Sequence, residues 1–222
     1  MKQLSIITIC YNEENLEATC ESIVKQTWQN FEWIVIDGGS KPEILKIFDK
    51  YKNNIDIFIS EKDGGIYNAM NKGISLASGK YLNFMNAGDS LYNNFVLEKI
   101  FNYKEYDYDI LCGNTNYILN DGASKISVLS KNPTQFFKNK KTICHQSMFI
   151  KQNLFKKYGY YDERYKISSD FERWVCFYVN NCSFYVLKDI IVSTFKGNGL
   201  TSRNRDLDSV EKEEIVKKYN LL

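Results

Sequence analysis

Leu4–Cys10 (LSIITIC) and Phe31–Ile36 (FEWIVI), the second running straight into Asp37-Gly-Gly-Ser40, decide the fold. Both are short, unbroken apolar runs rich in β-branched residues, the pattern of strands buried on both faces of a sheet. Between them, Glu14–Thr27 sets Leu16, Cys20, Ile23 and Val24 at helical spacing. The alternation continues. Pro42 is suited to the first turn of a helix, with Ile44, Leu45 and Phe48 turned inward. Ile55–Ser60 reads as a third strand, Ile66–Ala77 as a third helix, and Tyr81–Met85 as a fourth strand ended by Asn-Ala-Gly-Asp89. Strands separated by helices pair in parallel through right-handed crossovers, so the predicted class is α/β.

The second half is less regular. Tyr108–Leu119 reads as a long strand, Ile126–Leu129 as its partner, Cys144–Ile150 and Phe184–Phe195 as further strands, Ser169–Val179 as a helix and Asp206–Tyr219 as a charged terminal helix. No Gly-, Pro- or Ser-rich linker divides the chain. One mixed-sheet domain over 1–222 is expected, with residues 91–222 completing a crevice begun by residues 1–90.

Composition excludes several classes. A net charge of +2 gives no global reason to bind nucleic acid. The six cysteines form no C-x-x-C pair, and Cys10 and Cys112 lie in apolar strand-like runs and Cys176 in a helix-like one, as buried free thiols of a reducing compartment would. With a single histidine, a clustered zinc site is not expected. No apolar run approaches the ~18 residues of a spanning helix, and Leu4–Cys10 lacks a signal-peptide cleavage site. A cytoplasmic protein is expected, peripheral if it meets a membrane.

Asp37, Asp63 and Asp89 follow three successive strands, at equal intervals of 26 residues. The interval is the length of a β-α unit rather than a sequence repeat. Ligands of open parallel sheets bind beyond the carboxyl ends of the strands, so the three carboxylates are expected to face one crevice. No G-x-G-x-x-G turn or P-loop follows the first strand, so a pyrophosphate bound there must be neutralised otherwise. A divalent metal, Mn2+ or Mg2+, held by one or two carboxylates and substrate phosphate oxygens would do so. Asp89, in a tight Asn-Ala-Gly turn, is the best candidate ligand.

Several segments together resemble the glycosyltransferase family 2 enzymes: Thr8–Asn12, Ile36–Ser40, Glu61–Gly73 (EKDGGIYNAMNKG), Asn86–Asp89, His145-Gln146, Ser169-Asp170-Phe171-Glu172 and Gly197–Ser202. They run in order over nearly the whole chain, and Glu61–Gly73 is the most specific of them. The resemblance implies the GT-A fold, a Rossmann-like three-layer sandwich on a mostly parallel mixed sheet. It implies an inverting transfer from a nucleotide-sugar, with UDP the expected nucleotide, to a saccharide or lipid-linked saccharide in surface-polysaccharide assembly. By resemblance, Thr8, Tyr11 and Glu13 line the nucleotide pocket, and Asp37 bonds the uracil or ribose. Asp63, Asn68 and Lys72 lie by the base and diphosphate, with Asn86 and Gly88 also on the donor. Asp89 binds the metal, Asp170 is the general base, and His145, Gln146 and Glu172 lie on the acceptor side. The family often has Asp-Asp where this chain has Gly88-Asp89.

Plainer roles compete. Asp-Gly is a common turn dipeptide, which would account for Asp37 and Asp63. Asp170 suits a helix N-terminus, with Ser168 or Ser169 as its cap. A lone histidine is often a hydrogen-bonded, partly buried residue. Gly197–Ser202 is a plain loop or a segment closing over the diphosphate, with Arg203 or Arg205 on phosphate. Phe136–Lys141 (FFKNKK) is a solvated loop or a membrane-surface contact. The rival functions are a nucleotidyltransferase, which would need a glycine-rich basic loop after the first strand, and a non-catalytic nucleotide- or carbohydrate-binding subunit.

Overall fold

The computed structural model describes residues 2–119, 121–129, 142–197, 199 and 204–221. The elements run β1 (Leu4–Cys10), α1 (Leu16–Val24), β2 (Phe31–Asp37), α2 (Pro42–Tyr51), β3 (Ile57–Ser60), α3 (Ile66–Leu76), β4 (Tyr81–Phe84), β5 (Ser90–Leu91), α4 (Val96–Phe101), β6 (Ile110–Ile118) and β7 (Ser124–Ser127). A 3-10 turn (His145–Ser147), β8 (Met148–Lys151), α5 (Gln152–Tyr158), α6 (Ser169–Val179), β9 (Phe184–Lys196) and α7 (Arg205–Lys218) follow. The sheet order is β3-β2-β1-β4-β8-β6-β9-β5, with β7 on β6. The β3-β2-β1-β4 half is parallel. Antiparallel pairing enters where β8 joins β4, so one sheet runs through both halves of the chain.

Strand alternation builds two cores, one on each face. Ile7, Ile9, Ile34 and Ile36 point to the layer that holds α3 and α6. Leu4, Ile6, Cys10, Trp33 and Val35 point to the layer that holds α1, α2 and α4. This period-two division makes the three layers. Each fully buried large side chain stabilises the sandwich by about 1.5–3 kcal/mol. All six cysteines are free. Burial pushes the Cys10 thiol up to about 11 and Cys20 up to about 12, so neither is a thiolate near neutrality.

Several boundaries differ from the sequence reading for local reasons. α1 stops at Val24 because Gln26 turns inward, donating to Asn93 O and accepting from Leu97 N. β7 lies two residues earlier than expected, because the hairpin closes near Gly122 and Leu129 N donates to Asn114 Oδ1 instead of continuing the ladder. The expected strand Cys144–Ile150 begins as the 3-10 turn, where Asn83 Nδ2 donates to the carbonyls of Gln146 and Met148. β5, α4 and α5 were not foreseen, being too short for a periodic signal. Among the described residues, no helix is long and apolar enough to cross a membrane. The Phe136–Lys141 reading and most of Gly197–Ser202, with Arg203, lie outside the described residues.

Candidate active site

A crevice of about 1000 Å³ opens beyond the carboxyl ends of β1, β2 and β4, the size of pocket that takes a nucleotide-sized ligand. Its walls include Tyr11 and Glu13 after β1, Asp63 after β3, Asn68 on the first turn of α3, and Asn86, Gly88 and Asp89 after β4. His145 and Gln146 of the 3-10 turn and Asp170 at the start of α6 close it from the other half. Asn12, in the left-handed region at φ 52°, ties the first loop to the second: its N–H donates to Ser40 Oγ and its Oδ1 accepts from Lys41 N.

Asp89 is nearly buried. Its Oδ2 accepts from Gln146 Nε2 at 2.5 Å and its Oδ1 from Lys196 N at 3.2 Å. Burial raises its carboxyl from 3.8 to about 6, opposed by those two hydrogen bonds and by nearby His145, and reinforced by the charge of Glu13. Gly88 has φ 96°, and a Cβ there would stand 3.1 Å from Glu13 Cδ. The space of a side chain at 88 is therefore taken by Glu13. Among the described residues no group of three or more His, Cys, Asp or Glu could hold a metal ion. Asp89 and Glu13 both line the crevice, and Glu13 is near enough for its charge to act on Asp89, a donor pair that would suit a magnesium- or manganese-type ion taking its remaining ligands from diphosphate oxygens and water.

The raised carboxyl has a stability consequence. The folded state binds the Asp89 proton more tightly than the unfolded chain does, so this group's stabilising share is whole below about 4 and is lost as pH rises through about 6. Asp109 and Asp162, held below the usual range, act in the opposite sense. The expected result is therefore a difference: the wild-type melting temperature minus that of Asp89→Asn falls between pH 4 and pH 7 without ligand. A difference that stays flat would refute the assignment.

Asp170 lies at the N-terminus of α6, but no serine caps that helix through its side chain. Ser168 Oγ donates to Asp208 Oδ1 at 2.8 Å, and Ser169 Oγ is buried without a partner. Asp170 Oδ1 accepts from Phe171 N at 2.8 Å and from Tyr67 Oη at 3.3 Å, and Oδ2 faces His145 Nδ1 at 3.2 Å. Asp63 Oδ1 accepts from Gly65 N, and the bare Gly38 lets its carboxylate come close, since a Cβ there would meet Oδ2 at 2.9 Å. Asn68 Nδ2 donates to Glu163 on the opposite wall.

Four expected residues do not line the crevice. Thr8 is fully buried on the Leu4-Ile6 side of β1, where its Oγ1 accepts from Trp33 Nε1 at 3.0 Å. Lys72, one turn beyond Asn68, pairs with Glu61 at 2.7 Å. Glu172 is fully buried two residues past Asp170, on the far side of α6. Asp37 is also fully buried. Its Oδ2 accepts from Gly39 N, Ser40 N and Ser60 Oγ, while its Oδ1 is left without a partner.

Sequence reasoning missed the supporting residues. Glu211 of α7 accepts from three consecutive backbone N–H groups, Lys166, Ile167 and Ser168, at 2.7, 3.0 and 2.8 Å. It thereby fixes the loop that delivers Asp170. Lys196 adds a cation to the crevice wall, its Nζ donating to Asn15 Oδ1. Neither carries a local motif, because each acts across more than 40 residues of chain.

The sequence model of glycosyl transferase family 2 matches residues 5–159. A Mycobacterium bovis protein named PGL/p-HBAD biosynthesis glycosyltransferase is 32% identical over 167 residues, 71% of this chain and 62% of the relative. The chain thus spans less than two thirds of that relative's length. An uncharacterised glycosyltransferase of Methanocaldococcus jannaschii is 25% identical, over 98% of this chain and 78% of its own. S. aureus TarS 1-349 in complex with UDP-GlcNAc superposes with TM-score 0.73 at 20% identity, covering 99% of this chain and 70% of that one. The mannosyltransferase PcManGT of Pyrobaculum calidifontis, in complex with GDP-Man and Mn2+, gives TM-score 0.68 at 12% identity, covering 96% and 62%. These structural likenesses are of fold, and the fold is GT-A.

Proposed function

The chain belongs to glycosyl transferase family 2, and from that premise we propose that it transfers a sugar, with inversion, from a UDP-sugar to a hydroxyl of a saccharide or lipid-linked saccharide. The observation that carries this reading is that Asp170, at the start of α6, and Asp89, after β4, line the same crevice. Asp170 takes the proton of the acceptor hydroxyl as that oxygen attacks the anomeric carbon. The bond from that carbon to the diphosphate oxygen breaks on the opposite face. The diphosphate leaves as the anion, and the configuration inverts. A divalent cation held by Asp89 and Glu13, when bound, supplies Lewis-acid stabilisation of that anion. Lys196 adds positive charge beside it.

On the donor side, the exposed Tyr11 ring suits stacking on the base, while the buried Asp37 acts indirectly, its Oδ2 holding the Gly39-Ser40 turn. Asp63 and Asn68 border the same end. TarS is bound to UDP-GlcNAc and PcManGT to GDP-Man in their solved structures, and the first supports uridine here. Residues 1–90 serve the donor and 91–222 the acceptor within one domain. Surface-polysaccharide assembly from the cytoplasmic face of a membrane is the setting this chemistry suits.

A thermal-shift panel of UDP- and GDP-sugars, each with and without Mn2+, tests the donor. One UDP-sugar with Mn2+ is expected to raise the melting temperature, since a ligand of the native state stabilises by mass action, about 2.7 kcal/mol at a hundred times its Kd. A shift with GDP-sugars alone, or one indifferent to metal, would overturn the uridine or the metal assignment respectively.

A further inference from the structure

One imidazole joins the donor loop to the base. The ring of His145 lies between Asn86, three residues before Asp89, and Asp170. Its Nε2 is 2.9 Å from Asn86 Nδ2 and its Nδ1 is 3.2 Å from Asp170 Oδ2. The two side chains of the pair are 13% and 15% exposed, so water competes little for the contact. An amide nitrogen only donates. A carboxylate only accepts, so in the neutral ring the proton sits on Nδ1, pointed at Asp170, and Nε2 accepts from the Asn86 amide. With Nε2 occupied, the ring offers no free lone pair to an acceptor hydroxyl.

We infer that His145 is the positioning residue for Asp170. This rests on the reading of Asp170 as the base. A carboxylate turns readily about its last torsion. Phe171 N, from the same helix, fixes only Oδ1. His145 fixes Oδ2 and so sets the plane in which the carboxylate meets the incoming hydroxyl. The next residue, Gln146, holds Asp89 Oδ2 from the same 3-10 turn. One rigid turn thus sets the base relative to the diphosphate side of the crevice. Misplacing a base costs rate more than donor affinity.

The chain has one histidine, so protein labelled with 15N-histidine gives the two ring-nitrogen signals of one imidazole. At pH 8 it should show the Nδ1–H tautomer, and Asp170→Ala should relax that preference. A dominant Nε2–H tautomer, or one indifferent to Asp170→Ala, overturns the inference. Kinetics supply the second arm, as UDP release from the donor chosen by the thermal-shift panel. The amide nitrogen of asparagine matches Nδ1 of histidine, and that of glutamine matches Nε2. His145→Ala and His145→Gln should lower kcat about 10- to 100-fold with donor KM little changed, and His145→Asn should recover most of that loss. Equal kcat in all three variants and wild type overturns the inference, as does a rescue by glutamine rather than asparagine. His145→Ala added to Asp170→Asn should cost nothing more, and an additive loss likewise counts against action through Asp170. If Asp170→Asn itself retained wild-type turnover, the base assignment would fall instead, whatever the histidine variants do.

Discussion

Asp170→Asn is expected to lower turnover about a thousandfold while UDP and donor binding stay at wild-type strength. The substitution keeps the shape of the side chain and one oxygen for the Phe171 N–H, so α6 and the crevice wall should hold. It removes the only property the mechanism uses, the ability to take a proton as the acceptor oxygen attacks. Positioning of the two substrates and stabilisation of the leaving diphosphate remain, and they account for the residual rate. Asp63 and Asp89, the crevice carboxylates proposed for the donor side, lie on other elements, so donor KM and the metal-dependent thermal shift should not move. A non-catalytic nucleotide-binding subunit would show the same binding in wild type and variant and no turnover in either. Turnover surviving in the variant would mean that another group, or the acceptor itself, handles the proton.

What was legible in the sequence follows the range of the forces involved. β1, β2 and α6 could be read because burial on both faces, or a 3.6-residue period, is written in consecutive residues. The Asn-Ala-Gly-Asp89 turn and Ser169-Asp170 carry local motifs, and both reach the crevice. Thr8 and Glu172 belong to matching motifs too, but motif membership does not fix the side of the element on which a residue stands. Thr8 shares a strand face with Ile6 and Cys10, and so points to the Trp33 layer. Lys72 misses the crevice by one helical turn. Asp37 is buried, its Oδ2 accepting from Gly39 N, Ser40 N and Ser60 Oγ, and does not line the crevice. The unread contacts are those between distant segments. Glu211 meets residues 166–168, and His145 meets both Asn86 and Asp170, through side-chain bonds that leave no periodic trace. The absent carboxylate at 88 is explained only in three dimensions, where Glu13 fills that space.

Glu172 and Asp170 are neighbours in one motif, and the structure gives them opposite expected phenotypes. Glu172 is fully buried, its Oε2 bonded to Arg173 Nε at 2.6 Å and its Oε1 accepting from Lys218 Nζ at 2.8 Å and Tyr219 Oη at 2.5 Å. Arg173 is itself buried, its Nη2 also paired with Glu172 Oε2 and its Nη1 donating to the carbonyls of Tyr158 and Gly159. This cluster docks the end of α7 against α6. Glu172→Ala leaves the guanidinium buried without a counter-charge and frees Lys218 and Tyr219. Breaking a buried pair in this way costs about 3–5 kcal/mol. At about 2–4 °C per kcal/mol for a chain of this size, the melting temperature should fall by roughly 10 °C. Asp170→Asn should leave it within a degree or two. Below its melting point, folded Glu172→Ala should still bind UDP, because none of its contacts reaches the donor side of the crevice. An unchanged melting temperature with lost transfer would return Glu172 to the acceptor site. The expected pairing, a stable protein without turnover at 170 and a destabilised protein with an intact donor site at 172, separates chemistry from support within three residues of one helix.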